Sequence, residues 1–552
     1  MSLIAGFLDR YLWFVIAGGA IVAALIAFNY YYSQGLTLVY ADGIAKLNNG
    51  RRIFDNPENN FSLVQSGSIW LPAQSLLVAI TTWISLDFYQ TGIPGTIWSM
   101  ASFVLATVLL YQLVVTVTKS RLGGIAAGII SVSNLNHLYF ATTPMTESLI
   151  IACFVLVVYC LVRYEQDMSD RWLRRSALAL AFSCFVRYEM WFMTIVAIGC
   201  IALTLSLKRV DRNRLICDVS TLFFVPGLAI LGWLIYQRAV FGSFFYFSSS
   251  KYSAHAIDVI GANKSFVVHE PVIAIDQYFT AVRYNVPLSI LFIGTCGLAV
   301  FLSRCLVRRE RVLAPMYLIG IPVFFIISLT LGQNAIDMRL GKGLDYNIRY
   351  GTAVLPLVAF GVGYFVAMLA RCRFSAGMGM VLNRAGKVAA VGLVAVVVLV
   401  TAPLMAAARE NTAVLGDAAA QRSPAMEEFA AVLDLAWDGK GGRDVSSEPA
   451  LLETLMGIGN PAGGGRILAD GFGVLNTVQL LARVSLRYFV TDSSPVLYEE
   501  ALTDPRKHHI EWIIIREGDV LDRYFESDSE RLTSFVKVFE NDFGRLYYFV
   551  PE

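Results

Sequence analysis

The sequence predicts a polytopic α-helical membrane protein with a small α/β domain at its carboxyl-terminal end. Three observations carry this. Of the 552 residues, 56% are hydrophobic and only 16% charged, a balance far more apolar than that of a soluble domain. Apolar runs of about 20 residues, the length a helix needs to cross hydrocarbon, recur through the first three quarters of the chain. Beyond Ala406 the pattern changes to frequent charges and short apolar runs separated by turn residues.

Roughly eleven spans are expected, of which Ser148 to Leu161, Ser176 to Val186 and Met190 to Leu207 are short against the roughly 20 residues a crossing takes. The spans centre on Tyr11 to Tyr32, Gly95 to Thr118, Leu122 to Phe140, Ser148 to Leu161, Ser176 to Val186, Met190 to Leu207, Thr221 to Tyr236, Pro287 to Ser303, Leu313 to Leu329, Tyr350 to Leu369 and Val388 to Leu404. Alternate connections carry the basic residues, among them Lys119 and Arg121, Arg171 to Arg175, Lys208 to Arg214 and Arg304 to Arg311. The positive-inside rule makes these cytoplasmic, so the amino terminus is expected inside and the tail outside. The apolar segment Leu71 to Leu86 contains Gln74 and is short for a span, so it reads as a helix lying in the outer interface. The first span has a longer apolar stretch than a signal peptide and no small-residue cleavage site, so it is expected to remain.

In the tail, runs at Arg466 to Leu468, Tyr488 to Thr491, Trp512 to Ile515, Phe535 to Phe539 and Leu546 to Val550 read as strands. They alternate with helical patterns at Ala425 to Trp437, Val474 to Arg483 and Val520 to Phe525. The expected division is therefore a membrane domain over 1–406 and an α/β domain over 407–552. The turn Asp470-Gly471-Phe472-Gly473 lacks a full dinucleotide-binding fingerprint. All eight cysteines fall in spans or at their basic ends, with no metal or redox spacing, and the five histidines form no zinc pattern. A net charge of +2 with no basic stripe leaves nucleic acid out as a partner.

Polar residues gather at the outward ends of several spans. Asp42 lies in the polar segment Gly35 to Gly67 after the first span, where a solvated loop acid is the plain alternative. Glu147 opens the fourth span, where it also suits a helix start. Arg187-Tyr188-Glu189 occupies the tip of a hairpin between the basic residues Arg175 and Lys208. An Arg and a Glu near membrane depth, where an isolated charge costs roughly 3 to over 10 kcal/mol, must pair or line a water-filled cavity. Arg349 and Tyr350 begin a late span.

These pieces, together with Gly67 to Pro72 (Gly-Ser-Ile-Trp-Leu-Pro), Pro144 to Glu147 (Pro-Met-Thr-Glu) and Pro356, resemble the GT-C class of glycosyltransferases that use polyprenyl-phosphate sugars. The likeness is to the bacterial dolichyl-phosphate-mannose protein mannosyltransferase and aminoarabinose transferase superfamily. The resemblance implies a GT-C fold in a bacterial inner membrane. It also implies sugar transfer, usually with inversion, from a polyprenyl-phosphate donor to a lipid, polysaccharide or protein hydroxyl on the outer face. By position, Asp42 would be the catalytic base, and Glu147, Arg187, Tyr188 and Glu189 would shape the acceptor or sugar pocket. The lipid phosphate would fall to Arg349 first, with Tyr350, Arg51, Arg52 and Lys342 as further candidates. Asp42 has no acid two positions away, unlike metal-dependent oligosaccharyl transferases, so metal-independent chemistry without a cofactor is expected. No internal loop is long enough for the β-trefoil of eukaryotic mannosyltransferases, which leaves the acceptor open. The competing class is a transporter or flippase of lipid-linked sugars, which would show paired broken helices in two repeats.

Overall fold

The computed structural model describes residues 2–63, 69–250, 253–261, 265–307, 312–338, 347–371, 388–389, 392, 423–438, 465–471, 475–482, 484–527 and 532–550. The first helices are α1 (Ser2–Ser33), α2 (Ala41–Arg52), α3 (Ala73–Thr82), α4 (Leu86–Gln90), α5 (Ile93–Thr118), α6 (Arg121–Ser133) and α7 (Leu135–Ala141). There follow α8 (Glu147–Asp167), α9 (Asp170–Cys184), α10 (Glu189–Leu207), α11 (Arg212–Phe241), α12 (Tyr246–Ser249), α13 (Pro271–Asn285), α14 (Leu288–Val307), α15 (Gly320–Thr330) and α16 (Leu355–Leu369). The tail adds α17 (Pro424–Asp438), α18 (Leu475–Leu481), α19 (Pro495–Thr503) and α20 (Val520–Ser527). The chain divides into two compact units, Met1–Thr37 with Thr96–Asp417, and Leu38–Gly95 with Ala418–Glu552.

In the first unit, α1, α5, α8, α10, α11, α14 and the run Ile348–Leu369 are long and apolar enough to cross a membrane. Shorter apolar helices, α6 and the run Ala314–Thr330, complete the apolar set among its described residues. The expected span Val388 to Leu404 lies almost wholly outside the described residues. Where one span was expected over Leu122 to Phe140, the helix breaks at Asn134. Its side chain accepts from His137 N at 2.8 Å and so starts α7 afresh. The expected span over Leu313 to Leu329 likewise opens as a 3₁₀ turn, Ala314–Ile319, before α15. Its first amide is satisfied by Glu165 of α8, whose Oε2 accepts from Ala314 N at 2.8 Å while Oε1 accepts from Thr204 Oγ1 at 2.5 Å. This carboxylate joins three elements where each would otherwise leave a buried polar group unmatched.

Helix α16 is the packing axis of the unit, meeting α6 on one side and α14 on another. The approach to α14 is backbone to backbone, since a Cβ added at Gly297 would lie 1.8 Å from Gly361 O. Small residues do this work inside a membrane because apolar area alone does not distinguish a neighbouring helix from lipid.

The second unit holds a five-stranded sheet in the order β2-β1-β3-β5-β4. Its strands are β1 (Arg466–Ala469), β2 (Phe489–Val490), β3 (Ile510–Ile515), β4 (Phe535–Asn541) and β5 (Gly544–Phe549). β1 pairs in parallel with β2 and β3, and β5 runs antiparallel to β3 and β4. All five expected strands and all three expected tail helices are present, and α19 is an addition. Leu468, Val490, Ile513, Ile515, Leu521 and Phe525 form the core on one side of the sheet. The Leu38–Gly95 segment packs with this tail through α2 and α18. The helix expected at Leu71 to Leu86 is realised in part, as α3 over Ala73–Thr82; α4, capped by Ser85 through Phe88 N, starts at the last expected residue and runs beyond it.

Candidate functional site

In the first unit the ends of three elements converge on one cavity, lined by Glu147, Arg187, Glu189, Arg349 and Tyr350 with apolar walls that include Ile150, Phe154 and Phe325. Glu147 and Glu189 stand in the first turns of α8 and α10, where the helix dipole favours the carboxylate. Arg349 and Tyr350 lie in the 3₁₀ turn Ile348–Val354, which leads into α16. Pro356 is in the first turn of α16, where its missing N–H costs nothing.

Arg187 ties the two acids together. Its Nη1 donates to Glu147 Oε1 at 3.2 Å and its Nε pairs with Glu189 Oε1 at 2.8 Å. Arg349 Nε lies 3.9 Å from the same Glu147 oxygen, a looser ion pair. Both guanidinium groups sit near the Tyr350 ring, at 5.4 and 5.5 Å from its centroid, within cation–π range. Tyr350 in turn stacks on Phe325, which stacks on Tyr278. Glu147 is 4% exposed, and its Oε2 is buried without a hydrogen-bond partner among the described residues. Two guanidinium groups against two carboxylates make the cluster formally neutral, which is what burial of charge requires.

Five of the residues singled out in the sequence are thus brought together. Tyr188 is not among them, although it lies between Arg187 and Glu189. Its ring stacks on Phe247 at 4.5 Å and its hydroxyl accepts from Trp233 Nε1 at 3.2 Å, so it faces an apolar groove shared with Trp191, Phe223 and Phe324. Lys342 lies outside the described residues. The residues that sequence reasoning missed are Tyr278, Phe325 and Asn285. Asn285 donates to Ile348 O at 2.7 Å, directly before Arg349, and accepts from Thr352 Oγ1 at 2.5 Å.

Asp42, Arg51 and Arg52 belong to the second unit. Asp42 is in the first turn of α2, partly exposed. Arg51 Nη1 donates to Thr82 O at 2.6 Å, and its Nε pairs with Asp55 at 3.2 Å. Arg52 is buried and donates to Gln479 Oε1 at 2.7 Å and Ser493 Oγ at 3.0 Å. Both arginines therefore have protein partners within their own unit. Asp55, 1% exposed, accepts from Ser485 Oγ at 2.5 Å and Arg487 Nε at 3.0 Å.

Burial alone would raise the Asp55 pKa, but Ser485, Arg487 and Arg51 outweigh it and hold the carboxyl below the usual value. A depressed pKa supplies stability that is present above the unfolded value of about 3.9 and is lost as pH falls through the folded value. Acidification below about pH 4 should therefore loosen the contact of the Leu38–Gly95 segment with the tail. Hydrogen exchange of α2 measured from neutral pH downward checks this: Asp55→Asn should flatten the dependence, and an unchanged acid profile in that variant would contradict it.

Comparison with known proteins adds three findings. Residues 72–233 match the family model described as dolichyl-phosphate-mannose-protein mannosyltransferase, a stretch that holds Glu147, Arg187 and Glu189. The fold is similar to that of ArnT from Cupriavidus metallidurans bound to undecaprenyl phosphate, with a TM-score of 0.54 at 11% identity over 97% of this chain and 98% of that one. The archaeal oligosaccharyltransferase AglB from Archaeoglobus fulgidus, in complex with an inhibitory peptide and a dolichol-phosphate, aligns at a TM-score of 0.48 and 10% identity, over 92% of this chain and 69% of that one. No curated protein sequence matches. In class, the chain is a polytopic membrane protein with the GT-C fold. The family match and this fold bear out the resemblance read from the motifs and indicate a glycosyltransferase of that class.

Proposed function

We propose that this protein moves a sugar from a polyprenyl-phosphate donor to an acceptor hydroxyl on the outer side of a bacterial inner membrane, with inversion and without a metal. The amino terminus is then cytoplasmic and the α/β tail lies outside. The observation that carries the reading is the buried cluster of Glu147, Arg187, Glu189, Arg349 and Tyr350 at the ends of membrane helices in a GT-C fold. A folding core has no need of four ionisable groups there.

In the reaction, the Asp42 carboxylate takes the proton of the acceptor hydroxyl as its oxygen bonds to the anomeric carbon. The bond from that carbon to the phosphate oxygen breaks, and the electron pair leaves with the lipid phosphate. The phosphodiester's single charge becomes the double charge of a monoester, so the site must supply cations where charge develops. Arg349 is the first choice, because it lines the cavity beside Glu147 and Tyr350 at the start of the turn that leads into α16. A guanidinium can then clasp two phosphate oxygens. Tyr350 orients the phosphate, and Glu147 with Glu189 accepts hydrogen bonds from sugar or acceptor hydroxyls. Arg51 and Arg52 have a weaker claim on the phosphate, since each already serves Thr82, Asp55, Gln479 or Ser493.

The test compares purified wild type with Asp42→Asn, using radiolabelled polyprenyl-phosphate sugars, a membrane extract as acceptor and a parallel donor-binding assay. Transfer should fall about 10²- to 10⁴-fold, the range for loss of a general base, with donor binding retained. Unchanged transfer would remove Asp42 from the chemistry. Absence of transfer by wild type, with sugar lipid moving between leaflets, would make the protein a transporter.

A further inference from the structure

The α/β tail takes no part in the reaction as written, yet one helix of the first outer loop is built into it. Helix α2 reads Ala-Asp-Gly-Ile-Ala-Lys-Leu-Asn-Asn-Gly-Arg-Arg, a sequence too polar to be buried for its apolar area. It is nevertheless largely buried, including Lys46, Asn48, Asn49 and Arg52. Such a helix is stable inside a domain only where its polar groups are matched one by one.

The tail matches two of them, Asn48 and Arg52, and Arg52 in turn donates to Asn49 Oδ1 within the helix. Asn48 Nδ2 donates to Asn476 O at 3.0 Å, Asn476 Oδ1 at 3.1 Å and Gln479 Oε1 at 3.2 Å. Gln479 Oε1 also receives Arg52 Nη2, so one tail amide serves two residues a turn apart on α2. Tyr89 OH closes the network from the loop side, donating to Asn48 Oδ1 at 2.5 Å. Just past α2, Asp55 is held by Ser485 and Arg487 of the tail. On another face α2 rests against α3 with no slack, since a Cβ at Gly50 would lie 2.8 Å from Ser75 O.

An apolar seam would tolerate sliding and rotation of a helix. A buried network of directional bonds specifies a single rotation and register. We infer that the tail is a positioning element for the reaction, with Gln479 as its principal positioning residue: it fixes the rotation and register of α2 and hence the direction in which Asp42 projects from that helix. This rests on Asp42 being the base, and the experiment separates the two claims.

The full-length protein in nanodiscs is compared as wild type, Gln479→Leu, Gln479→Glu and the milder Ser493→Ala, with Asp42→Asn in parallel. Two quantities are read: amide hydrogen exchange across α2, and kcat and KM for the polyprenyl-phosphate sugar. Gln479→Leu should raise exchange in α2 and lower kcat about 10- to 100-fold, the scale of a misplaced reacting group. The donor KM should stay within about twofold, because Arg349, the first choice for the lipid phosphate, belongs to the first unit and is not touched by the change. Gln479→Glu keeps the acceptor for Arg52 and Asn48 and should restore both readings. If Gln479→Leu does not fold, Ser493→Ala, which removes only one partner of Arg52, should show the same changes at smaller size. A merely structural role would lower the yield of protein but leave kcat per active molecule untouched.

Unchanged exchange in α2 overturns the inference, as does raised exchange with unchanged kcat in an enzyme that Asp42→Asn inactivates. Should Asp42→Asn keep its activity, the base assignment falls by itself, and the exchange of α2 alone then decides whether the tail holds this helix.

Discussion

Replacing Glu147 by alanine should destabilise the membrane unit by about 3–5 kcal/mol, the scale for removing one partner of a buried ion pair. The carboxylate is 4% exposed and lies between two guanidinium groups, 3.2 Å from Arg187 and 3.9 Å from Arg349. With it gone, Glu189 is the carboxylate left among the described residues that line the cavity, beside two arginines that share one tyrosine ring. Like charges repel strongly where water cannot screen them. Glu147→Gln keeps the size and the acceptor but not the charge, and should fall between wild type and alanine.

A double-mutant cycle makes this specific. Glu147→Ala with Arg349→Ala should cost less than the two changes summed, because the second removes the repulsion created by the first. A coupling of at least about 1 kcal/mol is expected for residues in one charged network. Thermal midpoints and folded yields in a single detergent supply the four corners. Strict additivity, or a Glu147→Ala loss below about 1 kcal/mol, would mean that the cluster is wetter and looser than its burial implies.

Much of this arrangement is legible in the sequence because membrane helices and charges announce themselves. Apolar length marks the spans, and a Glu or Arg at the end of such a run stands out against it, as Glu147, Arg187 and Arg349 do. The tail strands follow from short β-branched and aromatic runs between turns, such as Trp512 to Ile515. What the sequence hides is pairing across distance. Arg51 and Arg52 read as spare cations beside a catalytic loop, whereas Arg52 bonds Gln479, 427 positions away. Tyr188 reads as part of a triplet, but neighbours along a helix start do not share a face, and it turns to Trp233 while Arg187 turns to Glu147. Asn134 looks like a polar residue tolerated within one span. Its partner, Asn285 O at 2.7 Å, is what makes the break there stable.

Asn285→Leu is expected to be nearly as damaging as Glu147→Ala, and it reaches Arg349 without touching a charge. The Asn285 amide is fully buried and uses its whole bonding capacity. Nδ2 donates to Ala281 O at 2.9 Å and Ile348 O at 2.7 Å, while Oδ1 accepts from Asn136 Nδ2 at 3.1 Å and Thr352 Oγ1 at 2.5 Å. Those bonds fasten the turn that bears Arg349 and Tyr350 to the end of α13 and the start of α7. Gly351 allows the fit, since a Cβ there would lie 2.3 Å from Ala281 O. Leucine matches the volume but takes the acceptor from Thr352 Oγ1, the donor from Ile348 O and one of the two acceptors of Asn136 Nδ2, which keeps Tyr284 O; a buried group left unsatisfied costs about 1–3 kcal/mol. Asn285→Asp keeps the acceptor for Thr352 and Asn136 but turns a carboxylate oxygen toward two carbonyls, so it should not rescue. The distinguishing readout is donor affinity per folded molecule. If the turn holds Arg349 for the lipid phosphate, both variants should weaken donor binding more than they weaken the global thermal midpoint, and equal loss in the two measurements would reduce Asn285 to a packing residue.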